Sequence, residues 1–326
     1  MLPIDFDSIE IEERNTVPPV YILTHGRPDF CFKNTYSSLV RHGFTGQVVY
    51  VVDDEDDTIE EYRKLPGQVE LFSKRNLMKE KNFDTFLPHT DELYKAVLYA
   101  RYASFEIAKR RGDRYFCMMD DDYKWFEVKM HIGQKTLNLY YPSNIDRLMN
   151  LTVDLLKTTN ASVVAWSQNG DLLSSRMTYA NLRKAMNVFF FDTEKAYDFF
   201  GAFNEDVNSY VSSGRSGKLI LTVPFILAKQ HFTQSVSGGM SDFYEKFGTY
   251  VKSFFSVIAS PSSVLISRIG ETEDTYRIHH NVKWEHCAPR ILSPDWQQRM
   301  KEKGYTGTRA RLNRKHVQTK INKFIS

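Results

Sequence analysis

The chain has 326 residues, 42% of them hydrophobic and 25% charged, with a formal net charge of +3; that length allows one large domain or a domain with appendages, and the composition is that of an ordinary soluble globular protein. The three cysteines, Cys31, Cys117 and Cys287, lie far apart without a C-x-x-C pair, which argues against a disulfide scaffold or zinc ribbon and fits a reducing compartment. No stretch approaches the roughly 20 apolar residues of a membrane span, and the acidic start MLPIDFDSIEIEERN lacks a basic region followed by an apolar run, so the expectation is a cytoplasmic protein without a signal peptide.

In chain order, VYILT (20–24) reads as a buried strand ending in the turn HGRPD, and FCFKNTYSSLVRHG (30–43) as a helix stopped by Gly43. QVVYVV (47–52) is the next strand and runs into DDEDD; a short strand comes next around VELFS (69–73). Residues 91–111 have helical periodicity up to Gly112, and YFCMM (115–119) is a strand that runs into Asp120, Asp121 and Asp122. Beyond it come a helix over 143–160, strands over 162–166 and 187–192, a loop leading into a helix over 201–218, an apolar run over 219–228 and a Gly-rich loop, SVSGGMSDF.

Strands alternating with helices predict an α/β fold with a mostly parallel central sheet, and nearly all-apolar strands suit a sheet covered on both faces. Ligands of such sheets bind beyond the carboxyl ends of the strands. Three strands here end in polar loops, THGRPD, DDEDD and DDD, which meet at one edge if the strands are parallel.

Each loop carries candidate chemistry. Alternation along an extended segment sends Asp120 and Asp122 to one side and Asp121 to the other. Two carboxylates on one side suit Mg²⁺ or Mn²⁺; an acidic solvent-facing turn is the plainer reading. Asp53 or Asp54 can take a ribose hydroxyl or a base edge, whereas Glu55 to Asp57 read as a solvated turn or helix start. In the first loop, with Thr24 and His25, Arg27 can bind a phosphate. Neither GxGxxG nor GxxxxGK[ST] occurs, which excludes the usual dinucleotide fingerprint and the P-loop. Glu205 and Asp206 open a helix, either as ordinary helix-start charge or as carboxylates for an acceptor hydroxyl. His279 and His280 are adjacent and, in a strand, face opposite ways, so one at most joins a given metal site.

Charge is uneven. From Arg299 onward there are nine Lys or Arg and one Glu, about +8, leaving about −5 for the rest. A basic tail on an acidic body suggests a polyanionic partner, with a solubilising segment as the alternative. The expected organisation is one domain over 1–290 and a basic nucleic-acid-contacting segment over 291–326.

The ordered set PPVYILTHGRP, an acidic end to the second strand, YFCMMDDD, GAFNEDVNSY and IHHN resembles the GT-A glycosyltransferases with their D-x-D motif. DDD, NED and SGGM bring it nearest to the phage DNA-modifying enzymes associated with TET-type dioxygenases, including the arabinosyl-hydroxymethylcytosine transferases. That resemblance implies a UDP-sugar donor, a Mn²⁺ or Mg²⁺ ion bridging Asp122, the diphosphate and a histidine from 279–280, and Asp120 on the metal or the donor ribose. With Asp121 beside them, Asp53 or Asp54 and the 24–27 loop would hold the nucleoside, and Asp206, with Glu205, would face the acceptor. It also implies 5-hydroxymethylcytosine in DNA as acceptor, flipped out of the duplex, with Tyr123, Trp125 or Trp166 available to stack on the base. The competing readings are a transferase for a glycan or protein, a non-catalytic nucleic-acid-binding module, and a two-metal nucleotidyltransferase.

Overall fold

The structure, a computed structural model, describes residues 17–80, 97–131, 137–168, 183–195, 197–231, 250–269, 277–289, 298 and 301–302. The chain divides into two compact units, Met1–Ala288 and Pro289–Ser326. Most of the basic segment and the SVSGGMSDF loop lie outside the described residues.

Strand β1 (Val20–Leu23) leads into one helical run made of α1 (Pro28–Cys31), a π-helical turn (Phe32–Tyr36) and α2 (Ser37–Arg41). Pro28 suits the first helical position because its missing N–H would have had no helical partner. Next come β2 (Val48–Asp53), α3 (Ile59–Arg63), β3 (Gln68–Phe72), α4 (Lys74–Glu80) and α5 (Leu98–Arg111). Helix α5 stops at Gly112, which takes the left-handed φ of 77° that a side chain would strain. Then come β4 (Tyr115–Asp120), β5 (Tyr123–His131), β6 (Leu137–Tyr140), α6 (Ile145–Thr159), β7 (Val163–Gln168) and β8 (Phe189–Asp192). Helix α7 (Glu205–Arg215), β9 (Ile220–Gln230), α8 (Val251–Ala259) and the hairpin of β10 (Val264–Ile269) and β11 (Arg277–Val282) complete the described elements of regular length.

One sheet runs β3-β2-β1-β4-β8-β7-β9-β5-β6. All its strands point one way except β5 and β8, so the α/β class and the mostly parallel sheet are as expected. The antiparallel setting of β8 was not legible, because FFFD is buried along its whole length and a strand covered on both faces reads alike in either direction.

Side-chain alternation splits the interior into two cores. Tyr21, Leu23, Val49, Val51, Phe116 and Met118 pack with apolar residues of α5 and α7. Val20, Ile22, Tyr50, Cys117 and Met119 pack with those of α2 and α6.

Strand β5 is an addition to the expected elements. It starts directly after Asp122 and carries Tyr123 and Phe126 into the second core. This corrects one expectation: Tyr123 and Trp166 are 0% and 1% exposed, so neither ring can stack on a flipped base. Trp125 is half-buried; its Nε1 donates to Glu127 at 2.6 Å and Lys229 lies 5.5 Å over its ring.

Register positions the site. Leu23 is level with Val51 of β2 and with Asp120 of β4, and Asp53 is level with Phe72 of β3. The carboxyl ends of four parallel neighbours therefore open onto one rim.

Candidate active site

The rim holds a cleft of about 220 Å³, lined on its polar side by Thr24, His25, Arg27, Asp53, Lys74, Arg101 and all three aspartates, 120 to 122. The three loops do converge. Helix α5 supplies Arg101, which no sequence motif marks.

The first loop is tied down by buried groups. Asp121 takes a bidentate pair from Arg27, Nε to Oδ2 at 2.7 Å and Nη2 to Oδ1 at 2.6 Å, and a third bond from Thr24 Oγ1 at 2.8 Å. Since Thr24 gives its one hydroxyl proton to Asp121, Tyr62 donates its own to Thr24 Oγ1 at 2.7 Å, and Tyr62 Oη accepts the Arg27 N–H at 3.1 Å. The fork of Arg27, expected on a phosphate, is occupied by Asp121; Asp121, expected on the nucleotide, spends both oxygens within the protein.

Asp56 is a second anchor, and it was expected to be part of a solvated turn. It is 5% exposed and accepts from the N–H of Gly26 at 2.7 Å and from Thr58 N and Oγ1, with His25 Nδ1 at 3.1 Å. Despite the upward push of burial, the Thr58 and Gly26 bonds hold its carboxyl below the usual range. Gly26 presents that N–H at a φ of 66°, a left-handed conformation suited to glycine.

Of the pair at the end of β2, Asp53 lines the cleft, buried and 2.5 Å from the equally buried Lys74 Nζ. Asp54 is exposed and not among the cleft-lining residues. Of the two, Asp53 is the one that lines the cleft.

Asp120, Asp121 and Asp122 reach three different elements. Strand β4 ends at Asp120 and β5 begins at Tyr123, so simple alternation breaks down where the chain turns. Thr35 holds the turn, donating to Asp120 O at 2.8 Å and accepting the Tyr123 N–H at 3.0 Å. Asp120 Oδ1 stands 3.3 Å from Arg101 Nη2 yet accepts no hydrogen bond among the described residues. Asp122 Oδ1 accepts from Gln230 Nε2 at 3.2 Å; among the described residues no cation forms an ion pair with Asp122. Burial, then repulsion from Asp120 and Asp121, pushes Asp122 up to about 7. Burial and Glu205 also raise Asp120 against the pull of Arg101.

Arg101 joins the aspartates to α7. Its side chain is 3% exposed, its Nε donates to Glu205 Oε1 at 2.8 Å, and its guanidinium lies 5.2 Å over Phe189 and 5.4 Å over Phe199. A signal for it existed: Arg101 sits on the buried stripe of Leu98, Ser104 and Ala108, and a buried arginine calls for a buried carboxylate. Next to Glu205, Asp206 is also buried and accepts the Val207 N–H at 2.7 Å. Burial and the charge of Glu205 push it up to about 6.

The histidines on β11 do not face opposite ways: their ring centroids are 4.2 Å apart. His280 Nδ1 is 3.2 Å from Asn204 Nδ2, one residue before α7. Burial, with His279 and Lys252, pushes His280 down to about 3, so its imidazole is neutral. Among the described residues no group of three or more His, Cys, Asp or Glu side chains that could hold a metal ion is drawn together.

A family model described as TET-Associated Glycosyltransferase matches residues 18–239. No curated protein matches. Among solved structures, glucosyl-3-phosphoglycerate synthase from Mycobacterium tuberculosis, in complex with Mn²⁺, UDP and phosphoglyceric acid, is 11% identical with a TM-score of 0.42, covering 82% of this chain and 87% of that one. S. aureus TarS 1–349 in complex with UDP is 12% identical with a TM-score of 0.39, covering 75% and 65%. GalNAc-T7 with UDP, GalNAc and Mn²⁺ is 15% identical with a TM-score of 0.39, covering 68% and 45%.

Proposed function

Since the chain belongs to the TET-associated glycosyltransferase family, we propose that it is a metal-dependent glycosyltransferase of GT-A type, moving a sugar from a UDP-sugar to the hydroxyl of 5-hydroxymethylcytosine in DNA. The observation that carries the donor half is the state of Asp120 and Asp122: partly exposed carboxylates lining the cleft at a strand end, of which Asp122 has no ion pair among the described residues and is raised to about 7 by burial and like charge.

The residues fit a divalent ion. Mg²⁺ and Mn²⁺ take hard oxygen ligands, and one or two carboxylates with substrate phosphates and waters suffice, so Asp120 and Asp122 would hold the ion without a third protein ligand. When bound, the ion supplies charge neutralisation for the departing diphosphate. Asp53, paired with Lys74, offers an acceptor and a donor side by side to the nucleoside. Arg27 and Asp121 hold the loop around the donor rather than touching its phosphates. Asp206 takes the proton of the acceptor hydroxyl, while its neighbour Glu205 is held by Arg101.

The DNA acceptor draws its support from the family's description and from the basic residues between 299 and 326. A segment of that charge would contact phosphates, with an affinity that falls steeply with salt.

The test is to incubate the protein and Mn²⁺ with hydroxymethylcytosine DNA and a panel of UDP-sugars, digest the DNA, and read nucleoside masses. A sugar adduct is expected, and its mass separates hexose from pentose. UDP-sugar hydrolysis without an adduct would overturn the DNA acceptor and leave the donor site standing.

A further inference from the structure

Asp122 is held by an amide that is itself held. Gln230 is the last residue of β9 and lies level with Tyr123 in the register with β5. Its Nε2 donates to Asp122 Oδ1 at 3.2 Å. Its Oε1 accepts from Asn187 Nδ2 at 2.5 Å and from Gln168 Nε2 at 3.5 Å.

An ionised Asp122 carboxylate only accepts, so it draws the Gln230 NH₂ and leaves the Gln230 oxygen to the two amide donors. Turned over, the Gln230 amide would set its NH₂ against two other NH₂ groups and its oxygen against the Asp122 carboxylate. The backbone assists, with the His231 N–H donating to Asp122 O at 3.3 Å. Gln168 ending β7 and Asn187 before β8 thus converge on the side chain of Gln230 ending β9, which alone of the three bonds the Asp122 carboxylate.

We infer that Gln230, oriented by Asn187 and Gln168, is a positioning residue: it caps Oδ1 of Asp122 and presents the other oxygen, Oδ2, to the divalent cation. This rests on the metal reading of Asp122 given above. An uncharged cap suits the task. A lysine or arginine there would neutralise the carboxylate and compete with the cation, whereas an amide fixes its direction and leaves its charge available. Groups that orient ligating carboxylates typically change metal affinity by about 10–100-fold when removed.

The experiment measures Mn²⁺ binding in the presence of UDP by electron paramagnetic resonance of free Mn²⁺, on the full chain. Gln230→Met keeps length and volume and removes the amide. It is expected to weaken Mn²⁺ by about tenfold or more, with an unchanged far-ultraviolet spectrum and with activity restored at saturating Mn²⁺. Asn187→Ala, which leaves Gln230 in place but frees its oxygen, is expected to weaken Mn²⁺ in the same direction and less, and stands in should Gln230→Met fail to fold.

Mn²⁺ affinity within about twofold of the parent in both folded variants, against the tenfold expected, with Asp122→Asn abolishing binding, would overturn the positioning role and leave the metal reading intact. Full Mn²⁺ affinity in Asp122→Asn would overturn both.

Discussion

Arg101 Nε donates to Glu205 Oε1 at 2.8 Å while its Nη2 stands 3.3 Å from Asp120 Oδ1, so one buried guanidinium joins the end of β4 to the start of α7. Removing it strands two carboxylates, Asp120 and Glu205, and the other arginine that lines the cleft among the described residues, Arg27, is bound to Asp121. Arg101→Met is expected to cost about 3–5 kcal/mol, as breaking a buried pair does, read by urea denaturation. Arg101→Lys keeps the charge but not the fork, and should fall between the two. A loss under about 1 kcal/mol in Arg101→Met would show that the pair is no more than a surface bridge.

Asp206 gives a pH signature. Its folded value of about 6 lies above the ordinary 3.8, so as a base it is active when ionised, and kcat should fall about tenfold per pH unit below that value. Asp206→Asn should lower kcat by about 10²-fold or more, with UDP affinity unchanged. The stability sign is the reverse. A raised folded value means that the folded chain favours the proton, so stability present below pH 3.8 is lost as pH rises through about 6. Asp206→Asn should therefore be at least as stable as the parent at about pH 8; a marked loss there would assign Asp206 a structural role instead.

Asp122 makes metal stabilisation depend on pH. Its folded value of about 7 against an ordinary 3.8 means that the metal-free protein loses this contribution as pH rises through that window. A divalent ion binds the ionised form, so the melting-temperature gain from Mg²⁺ with UDP should be larger at about pH 8 than at about pH 6. An equal gain at both would remove Asp122 from the ligand set.

The Arg27–Asp121 pair is bidentate, with bonds of 2.7 and 2.6 Å, which a lysine cannot reproduce. Arg27→Lys is expected to raise the donor KM by about tenfold through loosening of the loop, and Asp121→Asn to do the same. Had Arg27 been a direct phosphate ligand, Asp121→Asn would leave KM unchanged or lower it; steady-state kinetics with both variants separate the two.

Much of this site was legible because the strands announce their own ends. The runs of β1, β2 and β4 are wholly apolar up to Leu23, Val52 and Met119, and each then gives way to Thr24, Asp53 or Asp120. Parallel register then brings the three loops together without further information. The residues that escaped notice come from helices or look ordinary in sequence. Arg101 sits in a helix whose other buried members are small or apolar, and nothing near it in sequence reveals Glu205, 104 positions on. Asp56 lies in an acidic run where solvation is the natural expectation, yet it is buried and bonded to Gly26 and Thr58. Gln230 ends an apolar strand, and its partner Asp122 is 108 positions away. Even the strict alternation of Asp120, Asp121 and Asp122 fails, because the chain leaves one strand and enters another within those residues.

On the reading proposed above, Asp120 and Asp122 hold a divalent ion that in turn holds the donor diphosphate. Isothermal titration of UDP into the parent chain and into Asp122→Asn, each with and without Mn²⁺, tests it most directly. Mn²⁺ is expected to tighten UDP binding to the parent by about tenfold or more, on the scale typical of linked sites, and to have no effect on Asp122→Asn. Equal UDP affinity with and without Mn²⁺ in the parent chain would contradict it.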